Sequence, residues 1–104
     1  MFAISLDGVW IKRALGGSEC QALQYRDRYG HEIDLICEAP DGRVVGIEVK
    51  AAATTRPGHA THLTWLRDRL GGRFVGGVVH YAGSLSLPLG DRIVALPLSV
   101  LWEA

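Results

Sequence analysis

The residues with the clearest chemical potential are two acids and a lysine, Asp34, Glu48 and Lys50. Glu48 and Lys50 are separated by one residue within an apolar run, so in a strand both side chains leave the same face. The segment Pro40–Gly42 predicts a turn, and the hairpin around it sets Asp34 across from Glu48. Opposed residues of an antiparallel pair share a face, with Cβ atoms about 5 Å apart. A slip of one residue would turn Asp34 to the other face, so the register tests this arrangement.

Two carboxylates at this distance repel each other unless a positive charge lies between them. A hard divalent cation such as Mg²⁺, or Mn²⁺ in its place, takes oxygen ligands and usually keeps several waters. Asp34 and Glu48 would supply two ligands, and the carbonyl of Val49 would add another where the strand ends. Lys50 would orient or deprotonate a water and offset charge on a pentavalent phosphorus. The pattern therefore predicts metal-assisted hydrolysis of a phosphodiester.

A second interpretation of the same residues needs no chemistry. Cross-strand charge pairs are common, and Asp34, Glu48 and Lys50 would then form a salt-bridge ladder on a solvated sheet face. Against this, Glu48 and Lys50 lie in a strongly apolar strand, where two charges are expensive to bury. Glu32, on the same strand face as Asp34, is either an auxiliary ligand or an exposed residue.

The histidines form a weaker pattern. His59 and His62 are three apart on a predicted helix, a spacing that zinc ligands can have. No third ligand is near them in the sequence, so exposed helix histidines are the preferred interpretation. His31 lies in a predicted turn and His80 ends a predicted strand, and neither receives a role.

Arginines concentrate in the segment 56–73, which contains four arginines and only one acid, Asp68. Guanidinium groups suit phosphate, so this region is a candidate to follow a nucleic-acid backbone beside the acids. An ordinary solvated helix face explains the same cluster. The candidate nucleic-acid-binding residues are Arg56, Arg67 and Arg73.

Composition limits the remaining choices. The 104 residues carry eleven Lys+Arg and eleven Asp+Glu, so no overall basic field indicates a polyanion. Two cysteines are too few for a disulfide framework. No run approaches the roughly 20 apolar residues of a membrane span, and the N-terminus lacks a signal-peptide pattern. We expect a cytoplasmic protein without a membrane partner, and its apolar segments allow a homodimer.

In the first half of the chain, apolar residues at helical spacing predict a helix over Leu6–Leu15. The period then changes to two, which is typical of half-buried strands. The second strand would carry Ile33, Leu35 and Cys37 on one face. The predicted antiparallel strands cover residues 22–28, 32–38 and 43–51.

In the second half, Thr54 and Thr55 are possible N-caps for a helix with Pro57 in its first turn, and Gly71 ends that helix. Gly76–Gly77 inside a strand indicates a bulge or a close backbone approach. The predicted elements are a helix over 56–70, a strand over Phe74–Tyr81, a short strand over Ile93–Leu96 and a helical turn or two over 97–102. The strand–helix–strand order predicts a right-handed parallel crossover. Residues 1–104 should therefore form one α/β domain with α-β-β-β-α-β order, a mixed sheet and a short β-α tail.

An acid on one core strand followed by an acid-x-Lys on the next resembles the signature of the PD-(D/E)XK nuclease superfamily. Here the signature reads Asp34 and Glu48-Val49-Lys50. The segments 25–34 and 45–51 also look like a bacterial domain of unknown function that usually forms the C-terminal, nuclease-like part of longer AAA-type ATPases. That similarity extends over about residues 20–102. It implies a restriction-endonuclease-like fold, a Mg²⁺-dependent nuclease with nucleic acid as its substrate, for which DNA is expected rather than RNA, and a separate ATPase partner.

Three features depart from these families. No GxxxxGK[ST] motif occurs, so the sequence contains no ATPase half. The first helix of relatives tends to carry a glutamate, for which Asp7 is the closest match. The 56–70 helix also lacks the glutamine that several DNA-cleaving relatives use. These departures favour an alternative in which the chain keeps the nuclease fold as a non-catalytic module for nucleic-acid or protein binding.

Overall fold

The structure is a computed structural model that describes residues 21–98. The predicted first helix, Leu6–Leu15, lies outside the described residues. Pro97 belongs to the last strand, and the rest of the predicted helical tail falls almost entirely outside that range. The described elements are β1 (Gln21–Arg26), β2 (Glu32–Glu38), β3 (Val44–Val49), a 3-10 helix (Pro57–Ala60), α1 (Thr61–Leu70), a second 3-10 turn (Gly71–Arg73), β4 (Phe74–Tyr81), β5 (Leu87–Gly90) and β6 (Ile93–Pro97).

All six strands form one mixed sheet in the order β1-β2-β3-β4-β6-β5. The first three strands pair antiparallel as a meander. α1 then connects β3 to β4, which pair parallel, as predicted from the strand–helix–strand order. β6 pairs parallel with β4 and antiparallel with β5 at the far edge. The described chain is therefore an α/β fold with a six-stranded mixed sheet and one α-helix.

The predicted register of the β2–β3 hairpin is confirmed. Leu35 pairs with Ile47 and Cys37 with Val45, and extending this register sets Asp34 opposite Glu48. The predicted face of β2 is wrong in part, because Ile33 packs in the core under α1 while Leu35 and Cys37 pack on the opposite side. The β1–β2 pairing explains the change, since its register shifts so that β2 carries one extra residue near Asp34. Such a bulge re-aims the side chains on either side of it.

Close contact between α1 and the sheet depends on two glycines. A Cβ added at Gly46 would lie 2.6 Å from a methyl of Leu63, and one added at Gly77 would lie 2.9 Å from the ring of Phe74. Gly46 and Gly77 are paired neighbours on β3 and β4, so together they form the floor on which Leu63 rests. The close backbone approach predicted for Gly76–Gly77 is thus confirmed at Gly77.

α1 begins later than predicted. A 3-10 helix occupies Pro57–Ala60, and the α-helix starts at Thr61 with Ala60 as its N-cap residue and no side-chain cap. The expectation that Thr54 and Thr55 cap the helix is therefore wrong, because both precede the 3-10 helix. The predicted stop is confirmed, since Gly71 ends α1 with φ 58°, a conformation that glycine adopts readily.

The sequence prediction missed β5. This strand is short, carries Pro88 and lies at the sheet edge, where a proline is tolerated because its missing N–H faces outward. Arg92 follows it with φ 60° and donates from Nη1 to the carbonyl oxygens of Gly71 and Phe74. This arginine joins the β5–β6 turn to the end of α1.

β3 is covered on both faces, because every residue from Val44 to Glu48 is buried. Val45 and Ile47 pack with Cys37 on the face opposite α1. A buried Cys37 is what its apolar neighbours predicted. No helix in the described part of the chain is long and apolar enough to cross a membrane.

Candidate functional site

The end of β3 brings Glu48 and Lys50 together. Lys50 Nζ lies 3.3 Å from Glu48 Oε2, as expected for side chains that leave the same strand face. Glu48 is only 3% exposed, whereas the Lys50 side chain is 36% exposed. The lysine amine thus connects a buried carboxylate with solvent.

Asp34 lies beside this pair, on the bulged part of β2. Its Oδ2 accepts a hydrogen bond of 2.8 Å from the backbone N–H of Val49. The backbone pairing of β2 with β3 ends at Leu35 and Ile47, one pair before Asp34 and Glu48. The Asp34 carboxylate therefore accepts from the Val49 N–H in place of a backbone carbonyl. Asp34 is therefore fixed against the end of β3 while it remains exposed.

The electrostatics of Glu48 reflect both neighbours. Burial raises the pKa of its carboxyl, and the negative charge of Asp34 raises it further. Lys50, by charge and hydrogen bond, and His62, by charge, lower the pKa without cancelling the rise. The two acids are close together, as the register predicted, because Asp34 Oδ2 accepts from the N–H of Val49, the residue after Glu48. A cation added here would relieve this repulsion.

The donor set present suits a hard cation in part. Asp34 Oδ1 and Glu48 Oε1 form no hydrogen bond or ion pair with a described residue, so each carboxylate has an oxygen available. No group of three or more His, Cys, Asp or Glu side chains within residues 21–98 is arranged to hold a metal. Two carboxylates and a backbone carbonyl, predicted to be that of Val49, fit Mg²⁺, which keeps several of its waters.

Sequence reasoning missed a histidine cluster next to these acids. The prediction of exposed histidines on the helix is wrong for His59 and His62, which are half-buried and whose Nδ1 atoms are buried without a hydrogen-bond partner. The His62 ring meets the His31 ring edge to face at 6.1 Å. His31 in turn stacks on Trp65, with ring centroids 3.9 Å apart. The i,i+3 spacing on the helix hinted at a shared face, but no local pattern brought in His31.

Asp27 holds His31 in place. Its carboxylate accepts from the His31 N–H, from the Tyr29 N–H and from the Tyr25 hydroxyl, and it lies 2.9 Å from His31 Nδ1. Partial burial acts to raise the pKa of Asp27, but these hydrogen bonds together outweigh it and lower the pKa to about 2. Asp27 is therefore a carboxylate at neutral pH and fixes the β1–β2 turn.

Within the described residues, none of the three predicted nucleic-acid-binding arginines forms an ion pair with Asp34 or Glu48. Arg73 donates to the Gly42 carbonyl and pairs with Glu38, near the start of β3, whereas Lys50 follows its end. Arg67 is 18% exposed at its side chain and donates to the Asp91 carbonyl. Arg56 is exposed and forms no ion pair with a described residue. Their binding of nucleic acid remains a prediction.

His80 is buried on β4 next to the end of β3, where its carbonyl accepts the Lys50 N–H at 2.7 Å. Burial lowers the pKa of its imidazole, although hydrogen bonds with the backbone of Pro97 and Leu96 act in the other direction. Its backbone helps to fix the position of Lys50.

Comparison with known proteins adds a family. Neither the curated proteins nor the solved structures include a match to this sequence. A family model described as a domain of unknown function (DUF4143) matches residues 10–101. Because that match spans well over half of the sequence, the chain belongs to this family of domains of unknown function.

Proposed function

We propose that this chain is a Mg²⁺-dependent nuclease of the PD-(D/E)XK type, which hydrolyses phosphodiester bonds in DNA or RNA. The observation that carries the proposal is the joining of three groups at the end of β3. The buried carboxylate of Glu48 lies beside the Asp34 carboxylate, which raises its pKa, and Lys50 Nζ lies 3.3 Å from Glu48 Oε2. Two acids and one amine at this spacing match the acid and acid-x-Lys signature that Asp34 and Glu48-Val49-Lys50 resemble.

The roles of the residues follow from their chemistry. Asp34 and Glu48, with the Val49 carbonyl, would hold the cation, and Mn²⁺ could replace Mg²⁺ there. The bound cation supplies Lewis-acid activation of water and of the phosphate. Lys50 is partly exposed. As a neutral amine it would take the proton of the attacking water, and as the ammonium bonded to Glu48 it would orient that water. The same ammonium would stabilise negative charge as it develops on the phosphate oxygens.

The order of elements also supports the proposal. An antiparallel meander followed by a helix and a parallel strand corresponds to the β-β-β-α-β part of a restriction-endonuclease-like core. In this sheet, the bulge on β2 lies beside the end of β3, where Asp34 bonds to the Val49 N–H next to Glu48. Bulges are frequent next to active sites because they re-aim side chains.

The test is a cleavage assay on single- and double-stranded DNA and RNA, with Mg²⁺, with Mn²⁺ and with EDTA. We expect cation-dependent cleavage that falls by at least about a hundredfold in Lys50→Ala, the scale of a lost general acid–base group. Arg43→Ala is the matched control, because it removes a cation near the start of β3, where Arg43 pairs with Asp41. Its activity should equal that of the wild type. Equal cleavage by wild type and Lys50→Ala would reveal a contaminating nuclease and overturn the proposal.

A further inference from the structure

A strip of aromatic and arginine side chains leads away from the acids toward the tip of the β1–β2 turn. The charge of His62 lowers the pKa of Glu48. The His62 ring contacts the ring of His31, which stacks on Trp65. The Arg69 guanidinium lies 5.9 Å from the centre of the Trp65 ring. At the tip, the Arg28 guanidinium lies 5.0 Å from the centre of the Tyr29 ring. We call Arg28, Tyr29, His31, Trp65 and Arg69 the aromatic–arginine strip.

Tyr29 is the unusual member of this strip. It is 72% exposed, and it is the one aromatic residue among the exposed large hydrophobic residues of the described chain. An exposed ring at a turn tip buries almost none of its apolar surface in the fold, so its stability benefit here is small. The ring is nevertheless held in position, because Arg28 Nη2 donates to the Tyr29 hydroxyl at 2.8 Å.

Hydrogen bonds and a ring contact hold the turn that carries Tyr29. Asp27 Oδ1 accepts the N–H groups of Tyr29 and His31, and Gly30 adopts φ 87° between them. Stacking of His31 on Trp65 then anchors the turn to α1. A ring presented on a turn held in this way loses little conformational entropy when it binds a partner.

The charges along the strip favour a polyanion. The acids near it already have partners, since Glu32 pairs with Arg26, Asp68 pairs with Arg67 and Asp27 is bonded to His31. The guanidinium groups of Arg28 and Arg69 form no ion pair with any described residue. Phosphate groups would form ion pairs and hydrogen bonds with these two guanidinium groups, because the guanidinium geometry matches that of phosphate.

From this arrangement we infer that the aromatic–arginine strip binds the single-stranded part of a nucleic acid, with an unpaired base stacked on Tyr29 and phosphates on Arg28 and Arg69. The inference rests on the proposed nuclease function for the reason the strand is there. Tyr29 is five residues from Asp34, at most about 18 Å along an extended chain. Even at the ~3.4 Å rise per nucleotide of a stacked duplex strand, a base on Tyr29 would lie within roughly five nucleotides of Asp34, and an extended single strand would need fewer nucleotides.

The test measures binding without cleavage, by anisotropy of fluorescein-labelled oligo-dT and oligo-U in EDTA. Tyr29→Ala should bind at least about fivefold more weakly, the lower end of a lost base–aromatic stack. Tyr29→Phe keeps the ring and should stay within about twofold of the wild type. Arg69→Gln should reduce the slope of log affinity against log salt by about one.

Leu85→Ala is the matched control for removing an exposed apolar side chain. Leu85 is 61% exposed in the β4–β5 loop, and its backbone is held by the Tyr81 hydroxyl, so the change should alter neither fold nor binding. The inference is overturned if Tyr29→Ala binds with wild-type affinity. It is also overturned if the protein binds a blunt duplex more tightly than the single strands and Tyr29→Ala leaves that binding unchanged. Both results hold even where cleavage is found. Tyr29-dependent binding by a protein that never cleaves supports the strip and contradicts the nuclease.

Discussion

Glu48 sets the electrostatic character of the candidate site. Its carboxylate is buried in an apolar strand, where an unpaired charge is strongly disfavoured. Lys50 offsets this only in part, because its ammonium is itself partly exposed and Asp34 adds a second negative charge. Evolution of a stable core alone would favour a neutral residue at this position. The proposed cation would offset the negative charge that Lys50 leaves uncompensated.

The first prediction concerns Glu48→Gln, which removes the charge and keeps an acceptor for Lys50. Because the pKa of Glu48 is raised in the folded state, its contribution to stability is lost as pH rises from below the ordinary value of 4.5 through the raised one. At neutral pH and without divalent cations, we expect the variant to be the more stable, by about 4 °C for each ~1 kcal/mol. The difference should shrink near pH 4. Thermal unfolding at both pH values measures it.

Glu38→Gln is the control for this prediction. Glu38 pairs with Arg73 at the start of β3 and its side chain is well exposed, so the change should alter stability by less than about 0.5 kcal/mol. A Glu48→Gln protein that is less stable than wild type at neutral pH would show that the Lys50 pair outweighs the burial of the charge.

At the scale of elements, the site depends on how closely α1 approaches the sheet. Gly46 and Gly77 have no side chains, so Leu63 packs directly on their backbone and α1 lies close to β3 and β4. His62 and Trp65 lie on α1 and contact the ring of His31 at the end of the β1–β2 turn, and the charge of His62 lowers the pKa of Glu48. A change in helix height would therefore move the histidine cluster and the strip together.

The second prediction tests this seating with Gly46→Val. The added side chain would overlap Leu63, so we expect a loss of about 1–3 kcal/mol in the free energy of unfolding, as overpacked cores show. Denaturant unfolding with an unchanged m-value measures the loss. Gly72→Ala is the control, since an added Cβ there meets no atom within 4 Å. A Gly46→Val protein as stable as Gly72→Ala would refute the close seating.

Local sequence was sufficient for part of this arrangement. The turn at Pro40–Gly42 and the alternating apolar residues fixed the hairpin register, and with it the meeting of Asp34 and Glu48. The bulge on β2 was beyond reach, because it arises from pairing with β1. β5 carries too few residues and too little alternation to stand out. The contact of His31 with Trp65 joins distant segments, so no spacing rule could indicate it.

For the whole molecule, the balance of eleven cations and eleven acids hides an uneven distribution. The acids Asp34 and Glu48 meet at the end of β3, while Arg73 lies near its start, roughly 16 Å away for six strand residues. The local excess of negative charge is thus too distant from Arg73 to be neutralised through solvent, where charges are screened within about 10 Å. Lys50 supplies one positive charge against these two acids, and the proposed divalent cation would supply the rest.

The last prediction separates a cation-binding nuclease from a non-catalytic module with the same fold. A ligand that binds only the folded state raises stability by mass action, about 2.7 kcal/mol at a hundredfold excess over Kd. We therefore expect Mn²⁺ or Mg²⁺ to raise the melting temperature by roughly 10 °C at saturation, compared with sodium chloride of equal ionic strength. Asp34→Asn should abolish this shift, because it removes one of the two carboxylates. Asp41→Asn, an exposed acid paired with Arg43 in the β2–β3 turn, should keep it. Two results together would favour the non-catalytic module: no shift of the wild type with either cation, and partner binding that Asp34→Asn retains. The function of such a module would not require the negative charge that makes Glu48 costly to bury.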